Sequence, residues 1–139
     1  MIQIISGEKG KGKTKVLLDK VNAEIKEING SAVYLDKSTK HMYELNNKVR
    51  LINVQDYLVD SKDAFLGFIC GIISQDHDLE KVYLDSFLKI ACLEDGDVKV
   101  VLDKLAKISE IFKVDFVISV SLNNASLPAE YQDSVIVAL

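Results

Sequence analysis

The chain has 139 residues, 17 Lys+Arg against 21 Asp+Glu, a net charge of −4, one proline and no tryptophan. That length predicts a single domain over residues 1–139 with one sizeable core. The acidic balance argues against a general nucleic-acid or membrane-surface binder, and the longest apolar run, Ala64 to Ile73, is too short to span a bilayer.

Ile2–Ile5 reads as a first strand. It runs into Gly7-Glu8-Lys9-Gly10-Lys11-Gly12-Lys13-Thr14, which fits the phosphate-loop pattern G-x-x-x-x-G-K-[ST]. Glycines let such a loop curl around an anion with its N–H groups pointing inward. Lys13 is placed to reach the terminal phosphates and the Thr14 hydroxyl to hold Mg²⁺. A helix over Lys13–Ile28 follows, with Val16, Leu17, Val21, Ile25 and Ile28 at helical spacing, stopped by Asn29-Gly30. Its N-terminus aims the positive end of the helix dipole at the same anion. Lys9, Lys11 and Lys15 add positive potential around the loop.

Ala32–Leu35 reads as strand two, ending at Asp36. His41–Leu45 and Lys48–Val54, joined by Asn46-Asn47, read as a solvated hairpin or a strand plus loop carrying Lys37, Lys40, Lys48 and Arg50. Asp60 is placed to cap a helix reaching Ser74. Phe65, Leu66, Phe68, Ile69, Cys70, Ile72 and Ile73 lie on nearly every side of that helix, so it must be buried against the chain or against another subunit. Gly67 and Gly71, four apart, are expected to admit a close backbone. Lys81–Asp85 is strand three, Asp97–Lys113 an amphipathic helix, Phe116–Val120 strand four and Val135–Leu139 strand five. Strands alternating with helices predict an α/β fold: a mainly parallel five-stranded sheet covered on both faces, with ligands at the carboxyl ends of its strands.

Val82-Tyr83-Leu84-Asp85 has the form of a second nucleotide motif, an apolar strand ending in an acid. Asp85 there can hold Mg²⁺ through water, opposite Thr14. Together these parts resemble the RecA-like branch of P-loop NTPases. The resemblance implies a three-layer fold with strand order 5-1-4-3-2, ATP and Mg²⁺ as ligands, and a polar γ-phosphate sensor falling at Ser119 to Ser121. Val33-Tyr34-Leu35-Asp36 resembles the strand after which RecA carries its catalytic Glu. Related short chains are sometimes labelled twitching-motility ATPases; this sequence is similar to those motors only at the phosphate loop.

The departures bear on activity. Ser86 follows Asp85 where a Glu could stand, and Lys37-Ser38 occupy the region of RecA's Glu. Asp36, Glu44 and Glu94 are the candidate bases, and Arg50, the only arginine, is the one possible arginine finger unless a lysine substitutes. The expected function is ATP binding with weak or partner-stimulated hydrolysis. The alternatives are a nucleoside or other small-molecule kinase and a non-catalytic, nucleotide-switched interaction module, with a protein partner or a second copy as the associate. ATP is expected over GTP because no Asn-Lys-x-Asp or D-x-x-G signature is present. Asn123–Asp133 holds no Lys or Arg, against contact with a DNA backbone. Cys70 and Cys92 stand alone, as reduced thiols of a cytoplasmic protein do, and Met1 leads directly into a strand rather than a signal peptide. His77, between Asp76 and Asp78, lacks metal-ligand spacing.

Overall fold

Six short strands form one sheet in a computed structural model that describes residues 1–94 and 96–139. They are β1 (Ile2–Ser6), β2 (Ser31–Asp36), β3 (Arg50–Asn53), β4 (Leu79–Leu84), β5 (Asp115–Val120) and β6 (Val135–Ala138). Their spatial order is β3-β2-β4-β5-β1-β6, and every neighbouring pair is parallel. The five strands read from the sequence thus lie in the order 5-1-4-3-2. The expected count is corrected: the sheet has six strands, not five, and is wholly rather than mainly parallel.

The sixth strand decides between the two readings of His41–Val54: it is a strand after a loop, not a hairpin. β3 pairs parallel with β2, Val33 opposite Arg50 and Asp36 opposite Asn53. Parallel neighbours cannot be joined by a tight turn and need a crossover. The segment read as a first hairpin arm becomes that crossover, with a 3₁₀ turn at Met42–Glu44. Asn22 fastens it to the first helix: its amide donates to the Glu44 carbonyl at 2.8 Å and its Oδ1 accepts from Asn46 N at 2.7 Å.

The helices are α1 (Lys13–Glu24), α2 (Lys62–Ser74), α3 (Phe87–Ile90), α4 (Asp97–Phe112) and α5 (Ala129–Gln132). α1 ends at Glu24 rather than Ile28, the chain continuing in turns to Gly30. Ser61 rather than Asp60 caps α2, its Oγ accepting from Ala64 N at 3.1 Å. α2 buries Phe65, Leu66, Ile69, Ile72 and Ile73, while Gly67, Cys70 and Gly71 are exposed. The expected close approach at Gly67 and Gly71 is absent within the chain, since a Cβ at either would meet nothing within 4 Å. No helix among the described residues is long and apolar enough to cross a membrane.

Strand alternation divides the core between the two faces of the sheet. Ile5, Tyr34, Tyr83 and Val117 pack with Leu17, Leu18 and Val21 of α1 and with Ile25 just after it. Ile4, Val33, Leu35, Val82, Leu84, Phe116 and Ile118 pack with α2, α3 and α4. This parity positions the site. Asp36, Asp85 and Ser119 each lie two residues beyond Tyr34, Tyr83 and Val117 respectively, so all three continue the face that α1 covers, at the carboxyl ends of adjacent strands.

Candidate functional site

The loop between β1 and α1 is shaped by its glycines. Gly10 and Gly12 sit at φ +86 and +93, a left-handed backbone that residues with a Cβ rarely adopt. Gly12 is the residue before α1, whose N-terminus has no capping side chain and no acid in its first turn. Its first amides are therefore left for an external acceptor. The chain just beyond both flanking strands closes the loop's base: Leu139 N, after β6, donates to the Ser6 carbonyl at 2.8 Å, and Gly7 N donates to the Leu122 carbonyl, after β5, at 2.9 Å.

Lys13 is 8% exposed, and its ammonium donates to the Glu8 carbonyl at 2.9 Å. Burial lowers its pKa, with the Asp85 charge opposing that shift. An ammonium buried beside open amides and joined to a neutral carbonyl is short of negative charge. This chemistry fits a phosphate group.

Asp85 is the hub of the polar cluster, at 2% exposure. Its Oδ1 accepts from Ser119 Oγ at 2.7 Å, Ser86 N at 2.9 Å and Thr14 Oγ1 at 3.3 Å. Its Oδ2 accepts from Tyr34 OH at 2.7 Å. Burial, then the Asp85 charge, pushes the Tyr34 phenol far above its ordinary pKa, so it remains a donor. A hard-cation site needs oxygen donors; the Thr14 hydroxyl beside the Asp85 carboxylate supplies two. Elsewhere, no three His, Cys, Asp or Glu side chains gather as a metal group among the described residues, the Asp76-His77-Asp78 turn included.

These groups open into a cleft of about 320 Å³ lined by Lys9, Gly10, Gly12, Lys13, Thr14, Lys37, Asp85, Ser86, Leu88, Lys89, Ser119 and Ser121. The sequence-derived residues divide cleanly against it. Lys9, Gly10, Gly12, Lys13, Thr14, Asp85, Ser119 and Ser121 line it; Gly7 lies buried at the base of the loop, Glu8 and Lys11 are exposed, and Lys15 pairs with Asp19 at 3.0 Å along the helix. Asp36, 3% exposed, accepts from Lys37 N at 2.7 Å. Its carboxyl is raised above the usual range by burial first and then by Asp85, against the pull of the Lys37 amide, His41 and the Lys37 charge.

Three candidates lie elsewhere. Glu44 pairs with His41 on the crossover. Glu94 lines a separate cleft with Leu127 and Pro128. Arg50 starts β3 and lines a third cleft with Ser31 and Gln75. Parallel strands place their beginnings at the opposite end of the sheet from the phosphate loop, so Arg50 is no in-chain finger. Sequence reading missed two cleft cations, Lys37, assigned to a solvated hairpin, and Lys89, along with the apolar Leu88. It also missed the Tyr34 support, whose signal was its position two residues before Asp36.

No protein-family model matches the chain, and no curated protein matches it. Solved structures do. A KaiC-like protein, PH0186 from Pyrococcus horikoshii OT3, superposes with a TM-score of 0.61 at 18% identity, over 85% of this chain and 61% of that one. The flagellar accessory protein FlaH from Methanocaldococcus jannaschii gives 0.60 at 15% identity, over 93% of this chain and 63% of that one. This chain therefore spans less than two thirds of either. The likenesses show the fold alone: an α/β fold with an all-parallel sheet, similar to that of these two RecA-like structures.

Proposed function

We propose that the chain binds ATP with Mg²⁺ in the cleft between the Gly7–Thr14 loop and Asp85, and hydrolyses it slowly unless a partner assists. The observation that carries this reading is the meeting of the buried Lys13 ammonium and the adjacent Thr14 hydroxyl with the sequence-distant Asp85 carboxylate. The loop amides and Lys13 would hold the β- and γ-phosphates. Thr14, directly, and Asp85, through water, would hold Mg²⁺, which supplies neutralising charge to the phosphate oxygens.

In hydrolysis a water oxygen bonds to the γ-phosphorus, the bond to the β–γ bridging oxygen breaks, and ADP and phosphate leave. Asp36, on the same face as Asp85 though not among the residues lining the cleft, would be the proton acceptor, a role its raised pKa suits. Ser119 and Ser121 line the cleft and would sense the terminal phosphate, Ser119 through its bond to Asp85. Slow turnover follows from the lack of an arginine in the cleft and from a base nearly closed to solvent.

The test is calorimetry and phosphate release with Mg-ATP and Mg-GTP on the native chain and Lys13→Ala. Losing a buried charge-assisted donor should weaken ATP binding about a hundredfold, with circular dichroism unchanged. Native-like affinity in the variant would overturn the reading.

A further inference from the structure

Among the described residues, Lys37 and Lys89 on the cleft wall form no ion pair. Lys37 follows β2 and Lys89 lies in α3, and both side chains line the cleft. Both residues are exposed, and among the described residues neither ammonium lies near enough to a carboxylate to form a salt bridge. Lys15 and Lys99, by contrast, pair with Asp19 and Asp103 at 3.0 and 2.8 Å. The cleft is therefore lined by four lysines against one carboxylate, in a chain of net charge −4.

Lys89 is held there by an unusual turn. Ser86 takes φ 56, ψ 49, a left-handed conformation costly for a residue with a Cβ. Its N–H is anchored to Asp85 Oδ1 at 2.9 Å and to Ser119 Oγ at 3.1 Å. Immediately afterwards Phe87, Ile90 and Ala91 are buried at 0%, 1% and 0% exposure, which fixes α3 and leaves Leu88 and Lys89 facing the cleft. Observed backbone strain, stabilised by its surroundings, is a pointer to function. Here the strained turn delivers a cation to the far side of the phosphate loop.

The sheet order sets where that far side is. The loop leaves β1, while Lys37 and Lys89 follow β2 and β4. With strands about 4.8 Å apart, β4 lies two places from β1 and β2 three places, roughly 10 and 14 Å away. The loop amides and Lys13 meet the phosphates on the β1 side. A ligand longer by one phosphate extends its added charge towards the β4–β2 side.

We propose that Lys37 and Lys89 are specificity-determining residues that recognise the terminal phosphate, so that the cleft prefers a nucleoside triphosphate to the diphosphate. The inference rests on the nucleotide reading of the cleft. Both lysines act within the chain. They distinguish ligands by charge whether or not turnover occurs.

The test is calorimetric titration of Mg-ATP and Mg-ADP into the native chain, Lys37→Gln, Lys89→Gln and the double variant, with Lys→Arg versions as rescue. Each Gln change should lower the ATP-to-ADP affinity ratio about fivefold, and the pair roughly twentyfold, through weaker ATP binding while ADP affinity holds within about twofold. Arginine should restore most of the preference. A double variant with the native ratio, or one that loses both nucleotides equally, would overturn the inference. A native chain that binds neither nucleotide would instead remove the cleft reading on which it rests.

Discussion

Replacing Tyr34 by Phe removes one atom from the centre of the site. The phenol is fully buried and donates at 2.7 Å to Asp85 Oδ2, itself on a residue 2% exposed. The ring stays where it is, stacked with Tyr83 at a centroid distance of 6.5 Å, so the change deletes a donor and little packing. The space left by one oxygen is too small for a replacement water. A hydrogen bond to a charged acceptor contributes about 1.5–3 kcal/mol, and its loss leaves a buried carboxylate oxygen without its donor. The expected destabilisation is about 2 kcal/mol, which lowers the Tm of a chain this size by roughly 6 °C.

Thermal and urea unfolding of the native chain, Tyr34→Phe, Asp85→Asn and the double variant measure the effect. Coupling between the two positions should reach at least about 1 kcal/mol, because the hydroxyl acts through the carboxylate. A Tm within about 1 °C of native, or independent effects of the two changes, would refute the claim that Tyr34 supports Asp85.

Asp36→Asn should separate stability from activity. The folded carboxyl has a raised pKa, so the folded state binds its proton more tightly than the unfolded state does. Its stabilising contribution is therefore full below the unfolded pKa and lost as pH rises through the folded one. The variant should melt higher than native at neutral pH, with the gap closing as pH falls to about 4; turnover should drop about a hundredfold while ATP affinity is kept. Gly30→Ala should be among the most damaging glycine changes, because its Cβ would lie 1.9 Å from the Asp78 carbonyl oxygen, a backbone atom that cannot swing aside. A loss of about 3 kcal/mol or more in urea unfolding is expected.

The legible and illegible parts of this chain differ in the range of the interactions behind them. The phosphate loop was readable because its chemistry is local: Gly10 and Gly12 permit the curl, and Lys13 and Thr14 follow at fixed offsets. α4 was readable for the same reason, its buried Val101, Leu102 and Leu105 lying on one stripe. β3 was read only as one of two alternatives, a hairpin arm or a strand after a loop, since four residues of mixed burial carry little period and their parallel pairing with β2 is not a local property. The capping of α2 slipped by one residue because Asp60 and Ser61 are both good caps and only the entering backbone chooses.

By itself the sequence determined the glycine-rich loop, the acid at the end of a buried strand and the strand–helix alternation that a parallel sheet needs. These depend on residues a few positions apart. The tertiary structure decided which side chains share the cleft. Asp85 meets Thr14 across 71 positions and Tyr34 across 51, and Arg50 is carried to the opposite end of the sheet. Strand order and face parity set those distances, and both arise from burying two apolar faces at once rather than from any local preference.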